Sequence, residues 1–142
     1  MIDATDSSYY IDDKYLSKLF STLCKELTFR IKRGGWKVKY RIAVVFSKAD
    51  QYKIWKYRKR LKKFMSMNFP YTQNVFQEWS RDGYCIVEYF SCSAFGMRGE
   101  PPQPNVTSGV NGSIADPIAW QPFGLASAIY WLSTGKIDAR LL

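Results

Sequence analysis

Two short runs of β-branched and aromatic residues, each followed directly by a polar loop, constrain the fold more than any other feature of the chain. They occupy residues 41–46 and 85–90. Runs of this length and composition are typical of buried strands. Because helical patterns separate the two runs, we expect parallel strands in a small sheet that helices cover. Loops at the carboxyl ends of such strands are where open α/β sheets bind ligands.

The segment before the first strand has the apolar spacing of an amphipathic helix. Its apolar residues recur every three or four positions and so share one face; they are Leu16, Leu19, Phe20, Leu23, Leu27 and Ile31. Asp12 predicts the N-cap, and Gly34 with Gly35 predicts the end. We therefore expect a helix over residues 12–33.

Three further helices are predicted after the first strand. They cover residues 53–67, residues 71–81 after the break at Pro70, and a closing segment that starts at Pro122 and ends near Gly135. Prolines and glycines predict a long irregular loop over 97–121. The closing segment is apolar, but about a dozen helical residues are too few to span a bilayer, so we expect it to pack in the core.

Composition excludes several classes of function. The 142 residues suit a single domain, 1–142, and the net charge of +9 favours anionic partners. Histidine is absent, which excludes imidazole bases and His-ligated metals. The three cysteines lack Cys-x-x-Cys spacing, so the sequence predicts neither a zinc ribbon nor a disulfide framework, and no metal bound by this chain alone. A reducing, cytoplasmic location is the natural expectation.

The loops that follow the two strands read Ser47-Lys48-Ala49-Asp50 and Ser93-Ala94-Phe95-Gly96. In this order and spacing they resemble the fourth and fifth motifs of the translation-factor-like (TRAFAC) class of P-loop GTPases. Over roughly residues 1–135, the chain looks like the C-terminal half of a Ras-like G domain. The usual Asn of the fourth motif is replaced by Ser47, which has no amide to tie the two loops together.

The resemblance implies a guanine-binding site made of Ser47, Lys48, Asp50, Ser93, Ala94 and Phe95. The Asp50 carboxylate would accept hydrogen bonds from N1 and the exocyclic amine of guanine, an edge that adenine cannot offer. The methylene stem of Lys48 would lie along the base, and backbone N–H groups around Ser93, Ala94 and Phe95 would donate to O6.

The resemblance also implies a partial P-loop NTPase-like three-layer α/β fold, with two or three parallel strands and three or four helices. The sequence has no Gly-x-x-x-x-Gly-Lys-Ser/Thr run and no Asp-x-x-Gly switch motif. We therefore expect no catalytic residues and no GTP hydrolysis by this chain alone, and GTP or GDP binding only when an N-terminal half completes the domain. The open edge of the first strand should pair with that half or with a second copy of the chain.

The basic face of the helix over 53–67 supports a different reading. Its cations include Lys56, Lys59, Arg60, Lys62 and Lys63. They either form an ordinary solvated helix face or make the chain a binding module for nucleic acid, an anionic membrane or a protein partner. A third reading is an interaction scaffold that has lost nucleotide binding.

Overall fold

A computed structural model describes residues 12–35, 39–50, 52–107 and 112–141. In these ranges the chain is an α/β fold around a small parallel sheet, as the sequence predicts. The helices are α1 (Asp13–Gly34), α2 (Tyr52–Trp55), α3 (Leu61–Asn68), α4 (Pro70–Arg81) and α5 (Ser127–Thr134), followed by a 3₁₀ turn over Ala139–Leu141. The strands are β1 (Tyr40–Phe46), β2 (Cys85–Ser91), β3 (Met97–Arg98) and β4 (Gln103–Pro104).

The central sheet consists of β1 and β2, which run parallel. Tyr40 pairs with Cys85 at one end, and Phe46 pairs with Ser91 at the other. Both strands therefore end at the same level, and the loops that follow them start side by side. Within the described residues no further strand extends this sheet, so β1 and β2 are both edge strands.

Helices cover the two faces of the sheet. Alternate residues of β1, including Val44 and Phe46, pack against α3 and α4 in the larger core. Phe90 of β2 packs on the opposite face against Ala128 and Trp131 of α5. The guanidinium of Arg41 fixes the C-terminus of α5 by donating to the Leu132 carbonyl oxygen at 2.8 Å. A sheet with helices on both faces gives the three layers expected.

The first helix begins and ends where its sequence predicts. The Asp12 carboxylate accepts a hydrogen bond from the Lys14 N–H, and Gly35 ends the helix in the left-handed conformation. The apolar stripe is only partly covered, since Leu19 is 50% exposed and Leu23 is 47% exposed. One side of α1 thus packs in the core while another faces solvent.

The N-terminus of α4 is fixed by a side chain of α1. The Asp13 carboxylate accepts hydrogen bonds from the N–H groups of Tyr71 and Thr72 and from the Thr72 hydroxyl, at 2.7, 3.0 and 2.6 Å. These donors belong to the first turn of α4, where backbone N–H groups have no partner within the helix. A carboxylate at this end is also favoured by the helix dipole. Asp13 therefore joins α1 and α4.

The prediction of one continuous helix over residues 53–67 is wrong. The structure has two helices there, α2 and α3, which are separated by turns. In these turns the Arg60 N–H donates to the Tyr57 carbonyl, and Arg60 has a non-helical φ of −144°. The periodicity spans the break because Ile54 and Phe64 both reach the core. An apolar period alone does not detect the five residues, 56–60, that separate the two short helices.

The closing helix also starts later than predicted. Residues 122–126 are not helical, because Phe123 forms an isolated antiparallel bridge with Ser93 and Gly124 turns the chain at a φ of +67°. On α5 itself Trp131 is buried, but Ile129 is 70% exposed. The expectation that this apolar segment packs in the core therefore holds only for part of it. Among the described helices, none combines the length and the apolar composition needed to cross a bilayer.

The segment 97–121, predicted as an irregular loop, contains a small ladder in which β3 pairs antiparallel with β4. The Asn105 side chain joins two described parts of this segment. This side chain is fully buried, accepts a hydrogen bond from the Asp116 N–H and donates to the Asp116 carbonyl oxygen, each at 2.8 Å. Its own N–H donates to the Gly96 carbonyl at 3.0 Å, which attaches the segment to the loop after β2.

Candidate functional site

The two loops of the predicted guanine site lie in direct contact. The Ala49 N–H donates to the Cys92 carbonyl, and the Cys92 N–H donates to the Phe46 carbonyl, both at 2.9 Å. These bonds continue the ladder between β1 and β2 past the ends of the strands. Backbone hydrogen bonds on either side of Ser47 thus join the two loops, although Ser47 lacks the side-chain amide of the usual motif.

The loop over residues 47–50, called the fourth-motif loop below, turns sharply and buries the carboxylate of Asp50. Lys48 has a φ of 53°, in the left-handed region that non-glycine residues rarely adopt. Asp50 is only 2% exposed, and its Oδ1 atom has no hydrogen-bond partner within the described residues. Burial, with a smaller contribution from the Asp50 charge, raises the pKa of the neighbouring Cys92 thiol. An unsatisfied buried carboxylate oxygen is costly, so its presence in a folded chain needs an explanation, of which a ligand-binding role is one.

The loop over residues 93–96, called the fifth-motif loop below, is stabilised by the side chain of Ser93. The Ser93 hydroxyl, 1% exposed as a residue, accepts hydrogen bonds from the Phe95 N–H at 3.1 Å and the Gly96 N–H at 2.9 Å. The Ser93 N–H donates to the Phe123 carbonyl. Of the three N–H groups predicted to face guanine O6, those of Ser93 and Phe95 thus donate within the chain. The Ala94 N–H makes no hydrogen bond to the described residues, which leaves it as the candidate donor.

Sequence reasoning did not detect the cover over this loop. The indole N–H of Trp120 donates to the Ala94 carbonyl at 2.8 Å, and Phe123 exchanges two backbone hydrogen bonds with Ser93 at 3.1 Å each. Gly96 approaches Gln121 so closely that an added Cβ would overlap the carbonyl oxygen of Gln121. The glycine at position 96 was the available signal, because it marks a close approach of two backbones.

The predicted basic surface is only partly gathered in one place. Lys59, Arg60 and Lys62 line a groove of about 1160 Å³ that runs along the outer edge of β2. Lys56 and Lys63 are exposed but do not line it. The break between α2 and α3 produces this division, because it turns the basic segment away from a single helix face.

No metal site is formed by the part of the chain that the structure describes: no three His, Cys, Asp or Glu side chains lie close enough to hold an ion. Cys24, Cys85 and Cys92 are all free and buried.

Comparison with known proteins adds no family to this description. No protein-family model, curated protein or solved structure matches the chain.

Proposed function

We propose that the chain carries the base-recognition loops of a guanine-nucleotide site and does not hydrolyse GTP alone. The observation that supports this most is the buried Oδ1 atom of Asp50, which has no hydrogen-bond partner among the residues that the structure describes and lies in a loop hydrogen-bonded to the one that carries Ala94. An acceptor and a donor are thus available on two adjoining loops at the carboxyl ends of parallel strands. That location is where open α/β sheets place ligands.

The two groups match the edge of guanine. Asp50 would accept hydrogen bonds from N1–H and the exocyclic amine, while the Ala94 N–H would donate to O6. Adenine presents an acceptor at its N1 position, so the Asp50 carboxylate would repel that base. Discrimination that leaves a buried polar group unpaired in the wrong complex reaches several kcal/mol, about 10⁴-fold or more in favourable cases.

Binding requires a movement at the fourth-motif loop. At 2% exposure Asp50 presents almost no surface to a ligand, so the side chains that cover it must move for the base to reach it. Lys48 is exposed beside it, and its stem would then lie along the base. Because part of the binding energy is used for this movement, we expect weak affinity for the base.

The phosphates would be held by a partner, since no phosphate-loop motif occurs in this sequence. Two features favour a partner that completes the domain. Within the described residues β1 has an unpaired edge, and Leu19 and Leu23 of α1 leave an apolar surface uncovered. The partner we propose is an N-terminal half of a G domain; a second copy of this chain is the alternative.

The test is a chemical-shift titration of the chain with GDP and ADP, followed at the amides of Asp50, Ala94 and Phe95. GDP should shift these amides at millimolar concentration, and ADP should shift them less. In Asp50→Asn the preference should move to xanthosine diphosphate, because the new amide donates to the C2 carbonyl of xanthine. Asp82→Asn, which changes an exposed carboxylate before the start of β2, at the end of the sheet opposite both loops, is the matched control and should bind as the wild type does.

Two results would refute the proposal. One is an equal response of these amides to GDP and ADP. The other is a wild-type preference for GDP that persists in Asp50→Asn, since the carboxylate would then play no part in selecting the base.

A further inference from the structure

The outer edge of β2 carries backbone groups that nothing in the described chain uses. The Tyr84 carbonyl accepts from the Tyr40 N–H, and the Cys92 N–H donates to the Phe46 carbonyl, so the backbone groups of the even-numbered residues of β2 face β1. The backbone groups of the odd-numbered residues point away from β1. Ser93 follows this pattern, because its N–H and C=O both bond Phe123, on the side away from β1. The N–H and C=O groups of Val87 and Tyr89 therefore point into the groove.

A third strand begins on this edge and stops after one residue. Phe123 forms an antiparallel bridge with Ser93, and Gly124 then turns the chain towards α5 at a φ of +67°. Gly124 lies so close to Ser91 that a Cβ would overlap the Ser91 carbonyl oxygen. Beyond that point no described residue pairs with the edge from Tyr89 towards the start of β2. An added strand would continue a pairing that the chain itself starts.

The groove beside this edge is strongly basic. Arg58, Lys59, Arg60 and Lys62 line it, and among the described lining residues Glu88 contributes the one carboxylate. None of the four cations forms an ion pair within the described ranges. The Arg58 guanidinium stacks on Trp55, 4.0 Å from the ring centroid, which holds it in place. The positive charge at this edge therefore favours an acidic binding partner.

Most of the remaining lining is apolar or aromatic and includes Met97, Trp120, Phe123 and Ile137. An extended peptide presents its side chains alternately to two sides. Acidic residues at alternate positions would meet the basic wall while the residues between them meet apolar surface. Exposed strand edges bind peptides in this manner, with affinity from the backbone and specificity from alternate side chains.

We propose that the outer edge of β2 binds an extended acidic segment of a partner protein, which adds to the sheet as a third strand. This interaction is independent of the proposed nucleotide site, because it uses the side of β2 that faces away from β1. The occupant is a peptide and not a nucleic acid, since the unpaired N–H and C=O groups of the edge match a peptide backbone in spacing and polarity.

The experiment measures fluorescence anisotropy of a labelled peptide of about eight residues that alternates Glu and Val, long enough to pair with the open edge. The variant Arg60→Glu/Lys62→Glu should weaken binding about tenfold or more. The matched control Lys56→Glu/Lys63→Glu makes the same change in net charge outside the groove and should weaken binding less than about threefold. Circular dichroism confirms that both variants keep the wild-type fold.

Amide exchange tests the strand pairing itself. On adding the peptide, the amides of Val87 and Tyr89 should become protected from exchange, while those of Ile86 and Glu88 already pair with β1 and should change little. A peptide of the same sequence with alternate backbone nitrogens methylated cannot form these bonds, and it should bind at least about tenfold more weakly.

Three outcomes would overturn the proposal. Equal losses of affinity in the two double variants would show attraction to net charge alone. Unchanged exchange of Val87 and Tyr89 in the presence of saturating peptide would exclude strand addition. Tighter binding of an oligothymidylate of similar length than of the acidic peptide would assign the groove to nucleic acid instead.

Discussion

Replacing Gly96 by alanine tests how the fifth-motif loop is built. An added Cβ would overlap the Gln121 carbonyl oxygen and lie 2.8 Å from its carbonyl carbon. Since carbon atoms pack at about 3.5 Å or more, one of the two backbones has to retreat by roughly 1 Å. Gly96 also has a φ of +75°, which an alanine adopts at a cost of about 1–2 kcal/mol.

The retreat would break the bonds that join the loop to its cover. These are the two backbone bonds between Ser93 and Phe123 and the bond from the Trp120 indole to the Ala94 carbonyl. At about 1 kcal/mol each they add roughly 3 kcal/mol to the conformational cost. We therefore expect Gly96→Ala to lower the free energy of unfolding by about 4–5 kcal/mol.

Gly83 provides the matched control. It has a φ of +83°, but nothing lies within 4 Å of the position of an added Cβ. Gly83→Ala should therefore cost only the conformational strain, about 1–2 kcal/mol. Trp120→Phe, which removes the indole bond alone, should cost about 1 kcal/mol and remain folded.

The assay is urea unfolding monitored by tryptophan fluorescence. For a slope of about 2 kcal/mol/M, the difference of about 3 kcal/mol between the two glycine variants separates their midpoints by roughly 1.5 M. Equal midpoints for Gly96→Ala and Gly83→Ala would show that the loop does not depend on its contact with residues 120–123, and would refute the reasoning.

Two further predictions concern stability. Asp13→Ala should lower the free energy of unfolding by about 3 kcal/mol, because two N–H groups of α4 lose their acceptor and the fully buried Thr72 hydroxyl keeps only the longer bond, 3.4 Å, to the main-chain carbonyl of that position. Asp12→Ala removes only an exposed cap and should cost about 1 kcal/mol. Equal losses of thermal stability in the two variants would contradict this role of Asp13. Burial, with a smaller effect of Cys24, raises the pKa of Cys85 from 9.0 to about 11, so the folded chain holds this proton longer than the unfolded chain and stability should fall as pH rises from 9 towards 11. The urea midpoint of Cys85→Ala should fall less steeply over this range, and an unchanged slope would argue against the assignment.

Much of the fold could be predicted because its signals are local. Asp12 and Gly35 mark the ends of α1, and the β-branched runs of β1 and β2 give the sheet. Pro70 gives the start of α4. Each of these depends on a cap, a backbone restriction or a residue period that a short window contains.

The errors lie where distant contacts override a local pattern. Phe123 continues an apolar period, yet its backbone pairs with Ser93 and delays the start of α5. Arg60 interrupts a basic, amphipathic stretch whose apolar positions are buried on both sides of the break. In the candidate site, the sequence predicted that both loops directly follow the two strands, but the shielding of Asp50 and the bond from Trp120 depend on residues brought together by the fold.

The hydrogen bonds of Asn105 have a consequence for modification of the chain. Asn105-Val106-Thr107 matches the acceptor pattern for N-linked glycosylation, which requires an asparagine whose side-chain nitrogen is accessible. Here the residue is fully buried and that nitrogen donates to the Asp116 carbonyl. A sugar attached to it would displace Asp116 and break both side-chain hydrogen bonds of Asn105. The folded chain therefore excludes a glycan at this position, because the Asn105 amide is needed for its hydrogen bonds to Asp116.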